Sequence, residues 1–372
     1  MRESGEHRVV SGESAVSSTS FGVTRQTRHS PLTTFRCLLF GALTILGLIT
    51  SIPGTAQDIH FSQFFNAPLS LGPGSIGAFK GDYRVHGIFR QQWRSVTVPY
   101  RTFALGGDAA NVGGVQGLGL GAWLFNDKAG DSRMDQFHFS LGASWTQRFG
   151  MLKDQAITGG LQFGFTSLTM DQGALTFDNQ YNGFYFDPSL ANGERFDRFG
   201  LVHPDLHAGL VYRYSPAPRT TLQLGFGLFN LTHPRLGFLG GLGVPLDGRI
   251  SVHAMGQFPI SDDLDLMPML QYMQQGTFNE TDLGANLRYI LLDRYGLNRA
   301  VQFGAHYRAA DAGYLYAGFE HDDWTFGLSY DINTSDLVPA SRNRGGFEIT
   351  AIRIFRKHPA VPVRFKACPE QL

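Results

Sequence analysis

Five histidines, His86, His138, His207, His253 and His306, are the side chains of this 372-residue chain best suited to metal or acid-base chemistry. A zinc site needs three or four such ligands within bonding distance. Each histidine falls in a different segment of alternating apolar and polar residues, so separate wet-face side chains and no metal are expected. Arg84, Arg90, Arg213, Arg288 and Arg308 share the histidines' phase. Such a set is expected to line the lumen, with a charged constriction or pairing with carboxylates of a plug as the alternatives. Asp331, Asn333, Ser335 and Asp336 space their oxygens like the start of a calcium loop, but the glycine at position six and the distant glutamate are missing, which predicts a plain turn. Gly117, Gly119 and Gly121 alternate within a strand pattern and precede no helix, so they supply small inward positions and not a dinucleotide fingerprint. The opposite, apolar phase carries no histidine to activate a serine. No enzyme and no cofactor are expected.

These residues are positioned by strands. From Tyr83 the period is two: Tyr83, Val85, Gly87, Phe89, Gln91 and Trp93 on one face, Arg84, His86, Ile88, Arg90 and Gln92 on the other. The alternation is clearest between Phe137 and Phe165. Phe137, Phe139, Leu141, Ala143 and Trp145 oppose His138, Ser140, Gly142 and Ser144, and a turn over residues 150–155 leads into a second strand of the same kind. Fourteen such segments run from 83–93 through 206–214 to 347–355, and the odd-numbered connections include the longest ones, although two of them, near Gln275 and Ala310, are short. That parity predicts an all-β fold, a closed antiparallel transmembrane barrel over residues 83–355, with short periplasmic turns and longer outer loops. The longest connection, residues 171–205, holds five Phe and two Tyr and is expected to fold over or into the barrel mouth. Pro268, inside one strand, predicts a bulge or a shortened strand.

Composition agrees. Thirty-one Phe, 46 Gly and a slightly negative mean hydropathy exclude a helical membrane bundle, while a barrel hides its apolar residues by alternating them. Lys+Arg and Asp+Glu are equal at 31 each, which gives a nucleic-acid surface no support. Residues 1–56 read as a signal peptide with a long leader: Arg36 precedes the apolar run Cys37 to Ile49, and Gly54 and Ala56 suit cleavage before Gln57. Residues 57–82 then form a short N-terminal periplasmic segment, in which Phe61, Phe64 and Phe65 would share one face of a helical turn. Residues 356–372 form a basic periplasmic tail holding Cys368, the one cysteine left after cleavage, so no intrachain disulfide is expected.

The words are more specific than the period. Phe61-Ser62-Gln63-Phe64, Asn66 with Pro68, Gly81 through Arg84, and Arg90 with Gln92 and Trp93 follow one another as at the mature start of the PorP/SprF family. Later stretches extend the resemblance: a strand closed by Asn230 and Pro234, where the family usually has His at Asn230; a hairpin holding Pro268; Tyr330, Asp331 and Ser335; Glu348 at the start of the last strand; and Cys368 with Pro369. What the resemblance implies is an outer-membrane component of type IX secretion or gliding machinery. Such a component would help export or anchor a secreted surface protein or adhesin bearing a C-terminal sorting domain. Its partners would be that cargo, periplasmic secretion-ring proteins and outer-membrane lipid, with no nucleic acid. The motif residues would then serve structural or docking roles. The alternative is a passive porin for small solutes.

Overall fold

The computed structural model describes residues 58–94, 98–130, 132–194, 196–238, 243–294, 297–335 and 338–356. The expected signal peptide and cleavage point, the tail beyond Arg356 and Cys368 lie outside the described residues.

Fourteen strands form one closed sheet: β1 Tyr83–Gln92, β2 Tyr100–Ala109, β3 Leu118–Ala129, β4 Met134–Phe149, β5 Gln155–Thr169, β6 Gly200–Ala217, β7 Thr220–Phe229, β8 Arg249–Pro259, β9 Leu264–Gln275, β10 Phe278–Arg294, β11 Leu297–Arg308, β12 Ala312–His321, β13 Trp324–Asn333 and β14 Arg344–Phe355. Each pairs antiparallel with its sequence neighbour, and β1 closes on β14 from Tyr83↔Phe355 to Gln91↔Phe347. Closure leaves no strand edge unpaired, which is the condition for a sheet to cross lipid. No helix among the described residues is long and apolar enough to cross a membrane; the crossing is made by strands of 10 to 18 residues, at or above the length a tilted membrane strand needs.

The burial pattern is inverted relative to a water-soluble protein. Leu141, Leu161, Phe163 and Phe303 are 58–63% exposed on the outside, while Ser140, Ser251, Asp265 and Asn286 are fully buried inside. An apolar belt of this extent is stable against acyl chains and not against water. The expected faces of β1 and β4 hold, and most strand ends fall within a few residues of their expected places. Pro268 is a correction. The strand Leu264–Gln275 is uninterrupted, and its register passes Pro268↔Ala285 on one side and Met255↔Met269 to Phe258↔Leu266 on the other without a shift. Gly256 lies against the proline ring and leaves room for it.

By the turn-length rule for outer-membrane barrels, the end carrying Tyr83 and Phe355, where most of the turns are short, corresponds to the periplasmic end. At the other end, residues 170–199 form the longest connection. Its aromatic tip does not enter the mouth: Phe184 is 91% and Tyr185 62% exposed, on a turn closed by a Tyr181↔Phe186 bridge. Ser189 donates to Asp187 through its hydroxyl (2.6 Å) and its amide (2.9 Å), which hold that carboxyl below its ordinary pKa. A Phe184→Cys variant in a Cys368→Ala background should therefore react with a membrane-impermeant maleimide on intact cells. Protection until the outer membrane is permeabilised would mean that the sidedness is inverted.

Candidate functional site

Residues 58–81, expected as a periplasmic segment, instead thread the lumen from its outer half to the periplasmic end. Asp58 meets Gln275, at the outer end of β9, through a backbone donor 2.9 Å from the amide oxygen, whereas Gly81 lies against Ile354 beside the start of β1. The path bends through three single turns, Phe64–Asn66, Pro68–Leu71 and Pro73–Ser75, the last two opened by a proline whose missing N–H costs nothing at a helix start. The three rings do not share a face. Phe61 packs edge-on against Trp123 (6.4 Å), Phe64 joins Leu71 and Met269, and Phe65 stacks on His306 (5.5 Å) and meets Tyr316 edge-on (5.0 Å). A segment inside a barrel has wall on every side, so amphipathicity is not required of it.

One buried polar cluster fastens this plug. The Ser62 hydroxyl accepts from Arg90 Nη1 and Arg308 Nη2, both at 2.8 Å, and donates to Asp331 Oδ1 at 2.8 Å. Its hydrogen-bonding capacity is thus filled. Glu348 accepts the two successive backbone N–H groups of Ser62 (3.0 Å) and Gln63 (2.8 Å), and Arg90 Nη1 lies 3.1 Å from the same carboxylate. Arg90 Nη2 also reaches Asp331 at 3.1 Å. The Gln63 amide donates to the Glu348 carbonyl (2.9 Å) and accepts from the Thr350 hydroxyl (2.7 Å), and Asn66 donates to Gln63 Oε1 (3.0 Å). Arg308 lies 3.4 Å from Asp282 and 2.9 Å from Asp311. All these groups except Asp311 are buried, so the ion pairs other than Arg308–Asp311 are shielded from solvent and depend on their hydrogen bonds to offset desolvation.

A second fastening lies at the periplasmic end. Asp108 accepts from the Gly77 amide (2.7 Å) and from Arg84 (2.8 and 2.9 Å), and Arg84 also donates to the Ser75 carbonyl (3.0 Å). Between the two fastenings the plug lies on a floor of inward glycines. A Cβ at Gly160 would collide with the Pro73 carbonyl, one at Gly209 would crowd Pro73 and Gly74, and Gly119, Gly121 and Gly142 make room for Ile76 and Gly77.

Sequence reading named Arg90, Asp331, Glu348, Gln63 and Asn66 as motif positions, and the structure brings them together. Phe61, Phe64 and Pro68 are buried plug residues and Arg84 is the periplasmic anchor. Tyr83 and Tyr330 face outward, Trp93 packs on Tyr100 (4.6 Å) beyond the end of β1, Gln92 ends that strand, and Pro234, Pro268 and Ser335 lie away from the cluster. The arginines were expected to line the lumen, or else to form a constriction or meet plug carboxylates. Here the carboxylates come from the barrel wall, and the plug supplies a hydroxyl and amides. Arg308 and Ser62 were missed as cluster members, although Arg308's phase was known.

The histidines are a further correction, since they are packed and not solvated. His86 stacks on Trp123 (5.4 Å), His138 on Phe125 (5.0 Å) and His306 on Tyr314 (4.8 Å), while His207 and His253 are buried. Inward aromatics of the wall, and for His306 also Phe65 of the plug, cover the three stacked rings. Among the described residues no group of three His, Cys, Asp or Glu is placed to hold a metal ion.

In the outer half, Leu236, Phe238 and Leu246 line a cavity of about 210 Å³ together with Asp58 and Ile59 of the plug.

The family described as "Type IX secretion system membrane protein PorP/SprF" matches residues 54–352. Among curated proteins no match is found. Solved structures similar to this chain include a monoaromatic hydrocarbon channel, CymD (14% identity, 82% of this chain and 96% of that one, TM-score 0.45). Two others are the Pseudomonas putida toluene transporter TodX (12%, 80% and 94%, 0.42) and a Pseudomonas aeruginosa FadL homologue (11%, 78% and 95%, 0.39).

Proposed function

Because the chain belongs to the PorP/SprF family of type IX secretion system membrane proteins, and is an outer-membrane β-barrel, we propose that it serves as a docking and anchoring platform that helps export or hold a surface protein bearing a C-terminal sorting domain. The observation that carries this reading is the fastened plug. Ser62 and Gln63 are held by groups from β1, β11, β13 and β14, and such a cross-tie leaves the outer half of the lumen filled. A platform tolerates a filled lumen, whereas a porin for small solutes needs a wet path. A barrel of fourteen strands is in any case too narrow for a folded protein to pass. Binding would thus fall to the exposed loops and the periplasmic end, and the component is non-enzymatic.

Deletion of the gene should leave the cargo inside the cell or shed into the medium, with uptake of small solutes unchanged. Pull-down from gently solubilised outer membrane should recover the cargo and ring components with the barrel. Unchanged surface proteins together with reduced solute permeability would replace the platform with a porin.

A further inference from the structure

The arginines that face the lumen are paired, with a local exception. Arg84 meets Asp108, Arg90 meets Asp331 and Glu348, Arg288 meets Asp265 and Glu320, and Arg308 meets Asp282, Asp311 and Asp331. At the periplasmic end Arg148 and Arg213 have no carboxylate partner among the described residues; Arg213 reaches only the Gln223 amide oxygen, at 3.3 Å. Both lie opposite Ala156 of β5, Arg148 from β4 and Arg213 from β6, so they flank one small residue on the inner face. Lys80 of the plug and Lys153 of the β4–β5 turn line the same recess of about 520 Å³, with Asp154 as its one acidic side chain. An adjoining recess of about 490 Å³ shares Lys80, Arg148 and Lys153. Four cations against one carboxylate, in a concave site open to the periplasm, focus a positive potential there.

We propose that this vestibule is a docking site for an acidic, extended peptide segment of a periplasmic protein. Two strand spacings separate Arg148 from Arg213, roughly 10 Å, more than one phosphate spans. Carboxylates on alternate residues of an extended chain recur at roughly 6.5–7 Å and reach such a spread set in turn. Phe79 and Leu152, which line the recess with the cations, offer apolar contact for the intervening side chains. The chain's own tail does not supply the charge, since Arg356, Lys357, Arg364 and Lys366 dominate it. The inference is independent of what cargo the barrel serves.

The test uses the full-length barrel in detergent and a rhodamine-labelled peptide of alternating Glu and Ala, read by fluorescence anisotropy, with a Gln/Ala peptide as control. Saturable, salt-sensitive binding of the Glu peptide alone is expected, with at least tenfold weaker affinity in an Arg148→Gln/Arg213→Gln variant. Arg133→Gln, exposed at the outer end, should bind as the parent does. Heat-dependent gel mobility checks that each variant is a folded barrel, and Arg148→Gln alone, at an exposed position, should weaken binding if the double variant does not assemble. Equal affinity of folded variant and parent, or equal binding of the Gln peptide, would overturn the proposal. So would displacement by millimolar inorganic phosphate as effective as that by unlabelled Glu peptide, which would make this a simple anion site.

Discussion

Glu348→Ala should destabilise the barrel by about 3–5 kcal/mol, the cost of removing one member of a buried, hydrogen-bonded charge cluster. Glu348 is 1% exposed, and its carboxylate accepts from Arg90 and from two plug amides. Truncation leaves the buried Arg90 guanidinium short of charge and two plug N–H groups without their carboxylate acceptor. Ile349→Ala, next in sequence but facing lipid at 49% exposure, removes more apolar volume and yet should cost far less. Equilibrium unfolding in urea from lipid vesicles measures both. A double cycle with Ser62→Ala separates the plug's share from that of the wall, since the two changes should be non-additive by roughly 0.5–3 kcal/mol. Equal costs for Glu348→Ala and Ile349→Ala, or strict additivity with Ser62→Ala, would show that Glu348 does not fasten the plug.

Much of the fold was legible because a membrane barrel presents two solvents to alternate residues. Phe137, Phe139, Leu141, Ala143 and Trp145 read correctly as a lipid face, and the count of fourteen strands followed from the alternating segments, with turn and loop parity as a check. The misplaced boundaries have local causes. β6 begins at Gly200 and not at 206, because His203, Pro204 and Asp205 resemble loop composition while their strand extends beyond the apolar belt. The cluster was legible only as isolated words. Arg90 and Asp331 are separated by 241 positions, and what joins them is the register of closure between β1 and β14, which no local pattern encodes. A bulge adds to this: the β13–β14 register shifts between Tyr330 and Ile332, at the point where Asp331 turns inward. The plug itself left one readable trace. Gly119, Gly121, Gly142, Gly160 and Gly209 occupy inward positions on four consecutive strands, and glycine recurring on one face marks close backbone approach. Taken together, those positions would have argued for a segment lying against the wall.

Deletion of residues 58–79 should convert a silent protein into a conducting one, the largest functional change expected from any alteration of the plug. No barrel strand lies within that segment, and the closing ladder begins at Tyr83↔Phe355, so the sheet can still form. In the intact protein two fastenings hold the chain across the lumen, and the side chains between them fill it: Phe61, Leu69 and Ile76 form one core cluster with Ile88, Trp123 and Phe125 of the wall, and Phe64 and Leu71 another with Met269. An ion entering this space would have to shed its hydration against apolar side chains, which closes the path. Without the plug, the Arg90, Asp331 and Glu348 groups would line water. In planar lipid bilayers the intact barrel should give no steady current, and the deletion variant should give ohmic steps. Glu348→Ala, which weakens one fastening only, should give brief, infrequent openings between these extremes. Heat-dependent gel mobility establishes that the deletion variant is folded before its current is interpreted. Steady conductance in the intact barrel equal to that of the deletion variant would show that the plug does not close the lumen, and would return the chain to the porin reading.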